Sequence, residues 1–97
     1  MNLTDEEKGE IYTYLAEIFN ARNDFAGGYE YAMKVFNLKA KNETWIYPYS
    51  YFHAAYAQYS LGNFKKTKEL LEKGEEYGDF DYKSKLTSLI DNLKSKI

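Results

Sequence analysis

The chain has 97 residues, no cysteine and a formal net charge of −2. That length makes one domain with a modest core. The lack of cysteine excludes disulfides, thiolate chemistry and Cys-ligated zinc, and without a basic excess there is nothing to neutralise phosphates, which argues against nucleic-acid binding.

The composition is that of a globular protein except for eleven tyrosines. Tyr combines a large apolar ring with a hydroxyl that can stay wet. It suits a thin molecule whose side chains are buried at one end and solvated at the other. Residues 1–48 carry five Lys or Arg against eight Asp or Glu, and residues 49–97 carry eight against seven, a difference too small to assign a partner. No apolar run approaches a membrane span. Met1-Asn2-Leu3-Thr4-Asp5-Glu6-Glu7 lacks the basic start and apolar stretch of a signal peptide. The expected setting is cytoplasmic, without membrane association, and the Asn-x-Thr sequons at Asn2 and Asn42 read as chance.

Thr4-Asp5-Glu6-Glu7 has the form of a capping box and should open a first helix. Ile11, Tyr12, Leu15, Ile18 and Phe19 follow at helical spacing. Asn23-Asp24 breaks this pattern and begins a second helix carrying Phe25, Tyr29, Ala32, Val35 and Phe36. Gly27-Gly28 inside it costs roughly 1 kcal/mol each relative to Ala, a cost usually offset by close helix packing. Ala40 to Thr44 reads as a loop. Trp45 to Pro48 lead into a third helix over Tyr49 to about Ser60, with Pro48 tolerated near the first turn. After the Leu61-Gly62-Asn63 turn, a fourth helix runs from Phe64 to about Tyr77 and ends at Gly78, read as a left-handed terminator. Asp81 caps a fifth helix with Tyr82, Leu86, Leu89, Ile90, Leu93 and Ile97 on its apolar side and Lys83, Ser84, Lys85, Asp91, Asn92, Lys94 and Ser95 on the other. No segment reads as a strand.

An internal repeat emerges when residues 51–81 are laid over 12–42, 39 positions apart. Tyr12 matches Tyr51, Leu15-Ala16 matches Ala54-Ala55, and Asn23-Asp24-Phe25 matches Gly62-Asn63-Phe64. Gly28 matches Thr67, Ala32 matches Leu71 and Val35 matches Gly74. Small Ala54, Ala55 and Thr67 let paired helices approach, Gly62 permits the turn, and Phe64 should plug the gap under it.

With these residues the chain resembles the tetratricopeptide repeat family, most clearly from Tyr51 to Thr67. The likeness covers about residues 10–81. It departs from the family in its longer period, with the extra residues in the Ala40–Tyr47 loop, and in the absence of the closing Pro. The resemblance implies an all-α, right-handed superhelical array of two hairpins, 5–40 and 46–78, closed by a capping helix, 81–97. The fifth helix suits a cap because its outer face is polar. The first helix instead shows one narrow polar stripe, Glu10, Thr13, Glu17 and Asn20, amid apolar residues. Such a helix should be covered on most sides, which points to self-association through Tyr14 and Ile18, or to covering sequence upstream.

In the family the first helix of each hairpin lines a concave groove that holds a peptide or helix. Carried onto this chain, the groove would be lined by Glu10, Thr13, Glu17 and Asn20, then by Tyr49, Phe52, Tyr56 and Tyr59. The second set forms one helical stripe. It reads either as an aromatic ladder for a partner, with Phe52 and Tyr56 its exposed members, or as core. The Lys and Asn clamp with which some relatives hold a terminal carboxylate has no counterpart at Thr13 and Glu17. His53, the lone histidine, has no second His or Cys with which to bind zinc. Lys65-Lys66-Lys68 and Glu75-Glu76 read as solvated faces, Ser60 and Ser84 have no adjacent base, and no phosphate-binding glycine loop occurs. The expected function is non-catalytic and cofactor-free: docking a protein or peptide. The alternative is the peptide-sensing portion of a larger bacterial regulator.

Overall fold

The computed structural model describes residues 2–78 and 83–97. The first helix, α1 (Asp5–Ala21), starts on the expected capping box: Glu7 N donates to Thr4 Oγ1 at 3.1 Å, and Thr4 N donates to Glu7 Oε1 at 3.0 Å. In α2 (Phe25–Lys34) the Asp24 carboxylate accepts from Gly27 N at 3.0 Å. Beyond Lys34 the helix tightens into a 3-10 turn, Val35–Asn37, so the expected helix through Phe36 is α-helical only to Lys34. The next long helix, α3 (Ile46–Ser60), begins three residues earlier than the sequence indicates. Pro48 is therefore its third residue, still within the turn whose amides lack helical acceptors. The last two helices are α4 (Phe64–Glu75) and α5 (Lys83–Lys94). Among the described residues there are five α-helices and no strand.

Two expectations at helix ends are corrected. The α4 helix stops at Glu75, and Gly78 does not terminate it: among the described residues only Asn23 (φ 63°) and Gly62 (φ 86°) have positive φ. The α5 helix is described from Lys83, so the assigned cap Asp81 and the apolar Tyr82 lie outside the described residues.

The 39-residue repeat recurs in backbone geometry. At the first turn Asn23 N donates to Asn20 O (3.0 Å) and Asp24 N to Phe19 O (2.9 Å). At the second, Gly62 N donates to Tyr59 O (3.0 Å) and Asn63 N to Gln58 O (2.8 Å). This paired bonding around a left-handed residue is the Schellman arrangement, and the positive φ falls on matched positions. Phe64 does not plug its turn: it is 50 % exposed, and its ring lies 5.6 Å from that of Tyr59.

Within this arrangement α3 is central and touches α1, α2, α4 and α5. From Thr44 to Phe64 the chain carries no Asp, Glu, Lys or Arg, so nothing obliges any face of α3 to meet water. Ile46, Tyr49, Phe52, Ala54, Ala55 and Ala57 are buried along it. Leu70 and Leu71 of α4, and Leu86, Ile90 and Leu93 of α5, complete the core. Lys94 reaches Glu75 and ties α5 to α4 across the surface.

Of the glycine pair, only Gly28 serves close packing. A Cβ there would land on Asn20 Oδ1 and 3.3 Å from Ala16 O, so α1 and α2 meet at this point. Gly27 faces its own cap, Asp24. The loop after the 3-10 turn is pinned to the start of α1. Lys39 N donates to Asp5 Oδ2 and Lys41 N to Glu6 Oε1, both at 2.8 Å, while Tyr47 Oη donates to Leu38 O at 2.8 Å and accepts from Ala40 N at 2.9 Å. These amide bonds hold the Glu6 carboxyl below its usual range.

The molecule measures 41 × 29 × 18 Å. Its short axis accommodates about two helices of ~10 Å diameter. Seven of the ten described tyrosines are half-buried, as a thin molecule requires. Among the described residues no helix is long and apolar enough to cross a membrane.

Candidate partner-binding groove

The α1, α3 and α5 helices border one face of the slab, where two adjoining hollows of about 280 and 250 Å3 open. Glu17 of α1, His53 of α3 and Leu89 of α5 line both, which makes them one continuous groove. Thr13, Tyr14, Trp45, Tyr49 and Lys85 close one end; Asn20, Ala21, Phe52 and Tyr56 close the other.

An unbroken series of aromatic rings runs along this seam. Tyr14 meets Trp45 (6.2 Å between centroids), Trp45 meets Tyr49 (5.7 Å, edge-on), and Tyr49 meets His53 (6.5 Å). His53 then meets Phe52 (5.7 Å), Phe52 meets Tyr56 (6.4 Å), and Tyr56 meets Phe25 (6.3 Å). These separations lie within or close to the range in which aromatic pairs attract beyond simple burial. Trp45 is held by its indole N–H, which donates to Glu43 Oε2 at 2.6 Å.

Of the eight residues assigned to the groove from sequence, six line it: Thr13, Glu17, Asn20, Tyr49, Phe52 and Tyr56. The half-buried Glu10 lines neither hollow, and Tyr59 points toward Phe64. The six differ in how free they are. Thr13 is buried; its hydroxyl donates to Gly9 O at 2.7 Å and lies 3.4 Å from Ser50 Oγ of α3. Asn20 is buried too, donating through Nδ2 to His53 O at 3.0 Å. Its Oδ1 rests over Gly28 without a hydrogen-bond partner. Tyr49 and Phe52 are buried as the groove floor, so Phe52 is not the exposed ring the sequence indicated. Tyr56 is 37 % exposed, and Glu17 is exposed on the α1 rim.

Sequence reasoning missed Trp45, His53, Lys85 and Leu89. The charge-free stretch around α3 was the available signal for Trp45 and His53, because it marks a helix buried all round. Nothing in the local pattern of α5 shows that Lys85 and Leu89 face α1 across a shared hollow. His53 sits between the two hollows, and burial pushes its pKa down to about 4, so the imidazole is neutral at neutral pH.

The groove thus has an apolar, aromatic floor with a carboxylate (Glu17) on one rim and an ammonium (Lys85) on the other. Among the described residues no cluster of His, Asp or Glu could hold a metal ion. Comparison of the chain with protein-family models, with curated proteins and with solved structures finds no match.

Proposed function

We propose that this chain is a non-catalytic docking module whose groove between α1, α3 and α5 receives a peptide or helix of another protein. The observation that carries this reading is the convergence of six expected residues, together with Trp45, His53 and Leu89, on one continuous aromatic groove. Rigid aromatic anchors dominate binding energy because they bury large area at low entropic cost. The tetratricopeptide resemblance supports the same reading: its helix–turn–helix unit recurs here with matched turn bonds, and the groove is bordered by the helix that opens each hairpin.

An unidentified partner is no obstacle to the test. A random peptide library displayed on phage is selected on the purified chain, and enriched peptides are measured on a Glu17→Lys/Tyr56→Ala variant. Both positions are exposed, so the fold should survive. Phe52 is a poor choice, since truncating a buried Phe costs about 3–5 kcal/mol and would confuse binding with folding. Enriched peptides should lose at least roughly tenfold in affinity for the variant, as one lost aromatic hot spot implies. Failure to enrich any peptide, or equal binding by the variant, would remove the groove from consideration.

A further inference from the structure

The α1 helix buries an unexpected face. Gly9, Thr13, Ala16 and Asn20 point inward, so two members of the polar stripe, Thr13 and Asn20, belong to the packed face, while Glu10 is half-buried and Glu17 exposed. The outward face carries Ile11 (42 % exposed), Tyr14 (53 %) and Ile18 (47 %), all more exposed than the groove's Tyr56. Glu7 and Arg22, both exposed, lie at the two ends of the same face. Their spacing, 7, 11, 14, 18 and 22, is helical throughout, and no charge falls on the face between its ends. Lys8 lies on one flank, and Glu10 and Glu17 lie on the other, toward the groove.

We infer that this stripe is covered by the α1 of a second copy of the chain, running antiparallel. Two-fold symmetry requires that each contact be made twice with roles exchanged. A register centred between Tyr14 and Leu15 sets Ile11 against the partner's Ile18. The same register sets Glu7 against the partner's Arg22, and by symmetry Arg22 against the partner's Glu7. A parallel pairing would instead stack Glu7 on Glu7 and Arg22 on Arg22. The charges at the two ends therefore select one orientation and one register, and the antiparallel macrodipoles favour it as well. Such a helix pair buries little area, so the dimer belongs to the weak class, with a micromolar to millimolar dissociation constant.

Sedimentation of the full chain from about 5 µM to about 1 mM, spanning that weak class, should show its mass rising from 11.4 kDa toward twice that value. Ile18→Asp, at an exposed position, should weaken association at least roughly tenfold while far-UV circular dichroism stays helical. Glu7→Arg alone and Arg22→Glu alone should each dissociate, because each makes two like-charge contacts. Mixed in equal amounts, the two should re-associate, because the mixed pair has opposite charges at both ends. Tyr14 belongs to both surfaces, but Tyr56 lies only in the groove and Ile18 only on the stripe, so Tyr56→Ala should leave the dimer unchanged and the two readings are tested separately. A monomer at every concentration, association untouched by Ile18→Asp, or a mixture that stays dissociated would overturn the assignment. Glu7→Arg also removes half of the capping box, so Ile18→Asp and Arg22→Glu serve as probes independent of that cap.

Discussion

The Asn20 carboxamide spans three helices: it belongs to α1, donates to His53 O of α3 and lies over Gly28 of α2. A side chain legible in sequence as a groove contact is therefore chiefly a fastener. Gly28→Ala should destabilise by about 1–3 kcal/mol despite the ~1 kcal/mol gained in helix propensity, because the new Cβ evicts Asn20. Gly27→Ala should be nearly neutral, since the ~1 kcal/mol gained in helix propensity offsets a cost of similar size for shifting the capping Asp24 carboxylate, which its Cβ meets at 2.9 Å. Urea titrations of the two variants check the contrast. His53 adds a pH dependence. Its folded pKa is lowered to about 4 from 6.5, so between these values the unfolded chain binds the proton more readily. Stability is fully present above pH 6.5 and falls as pH drops toward 4, by on the order of 3 kcal/mol. His53→Leu should flatten the low-pH side of the Tm-against-pH curve relative to wild type, while carboxylate titrations remain common to both.

Among the elements, the two Schellman turns explain how a repeat with few identical residues keeps one geometry. Asn23 and Gly62 differ chemically, yet both tolerate the left-handed conformation for which most side chains incur a cost of about 1–2 kcal/mol. Gly62→Ala should lower stability by about 1 kcal/mol, measured by thermal unfolding, although nothing lies within 4 Å of the added methyl group. The cost is backbone strain alone. The starts of α1 and α2 were legible because a cap is a local matter of one side chain and the amides within three residues of it, as at Thr4 and Asp24, whereas α3, which lacks a side-chain cap, starts three residues before the expected Tyr49. Helix ends were less so. The α2 helix turns 3-10 at Val35 and α4 ends before Gly78, where tertiary packing rather than a sequence signal decides.

At the scale of the molecule, a slab 18 Å thick has little interior, and α3 occupies most of it. The groove exists because α5 folds back beside α3 and supplies Lys85 and Leu89 opposite α1. Leu86, Ile90 and Leu93 anchor α5 from its other side and line neither hollow of the groove. Leu86→Ala should cost about 2–5 kcal/mol. It should also raise amide exchange across α5 and weaken any groove-bound peptide, although Leu86 does not line the groove.

The sequence alone determined the all-helical class, the two tight turns at Asn23 and Gly62 and the helix–turn–helix unit that repeats around them. Each rests on interactions within a few residues: helical spacing, caps and left-handed turn positions. Six of the residues it singled out, Thr13, Glu17, Asn20, Tyr49, Phe52 and Tyr56, line the two hollows, because residues on one helix face follow the 3.6-residue period. It did not determine which face of α1 is buried. There the small size of Gly9, Thr13 and Ala16 outweighed the greater apolarity of Ile11, Tyr14 and Ile18, since α1 must approach α2 and α3 closely. Nor did it determine that Phe52 is floor and Tyr56 rim, or that α5 forms the third wall. Those follow from how the helices pack against one another, and packing depends on side-chain shape across segments far apart in the chain.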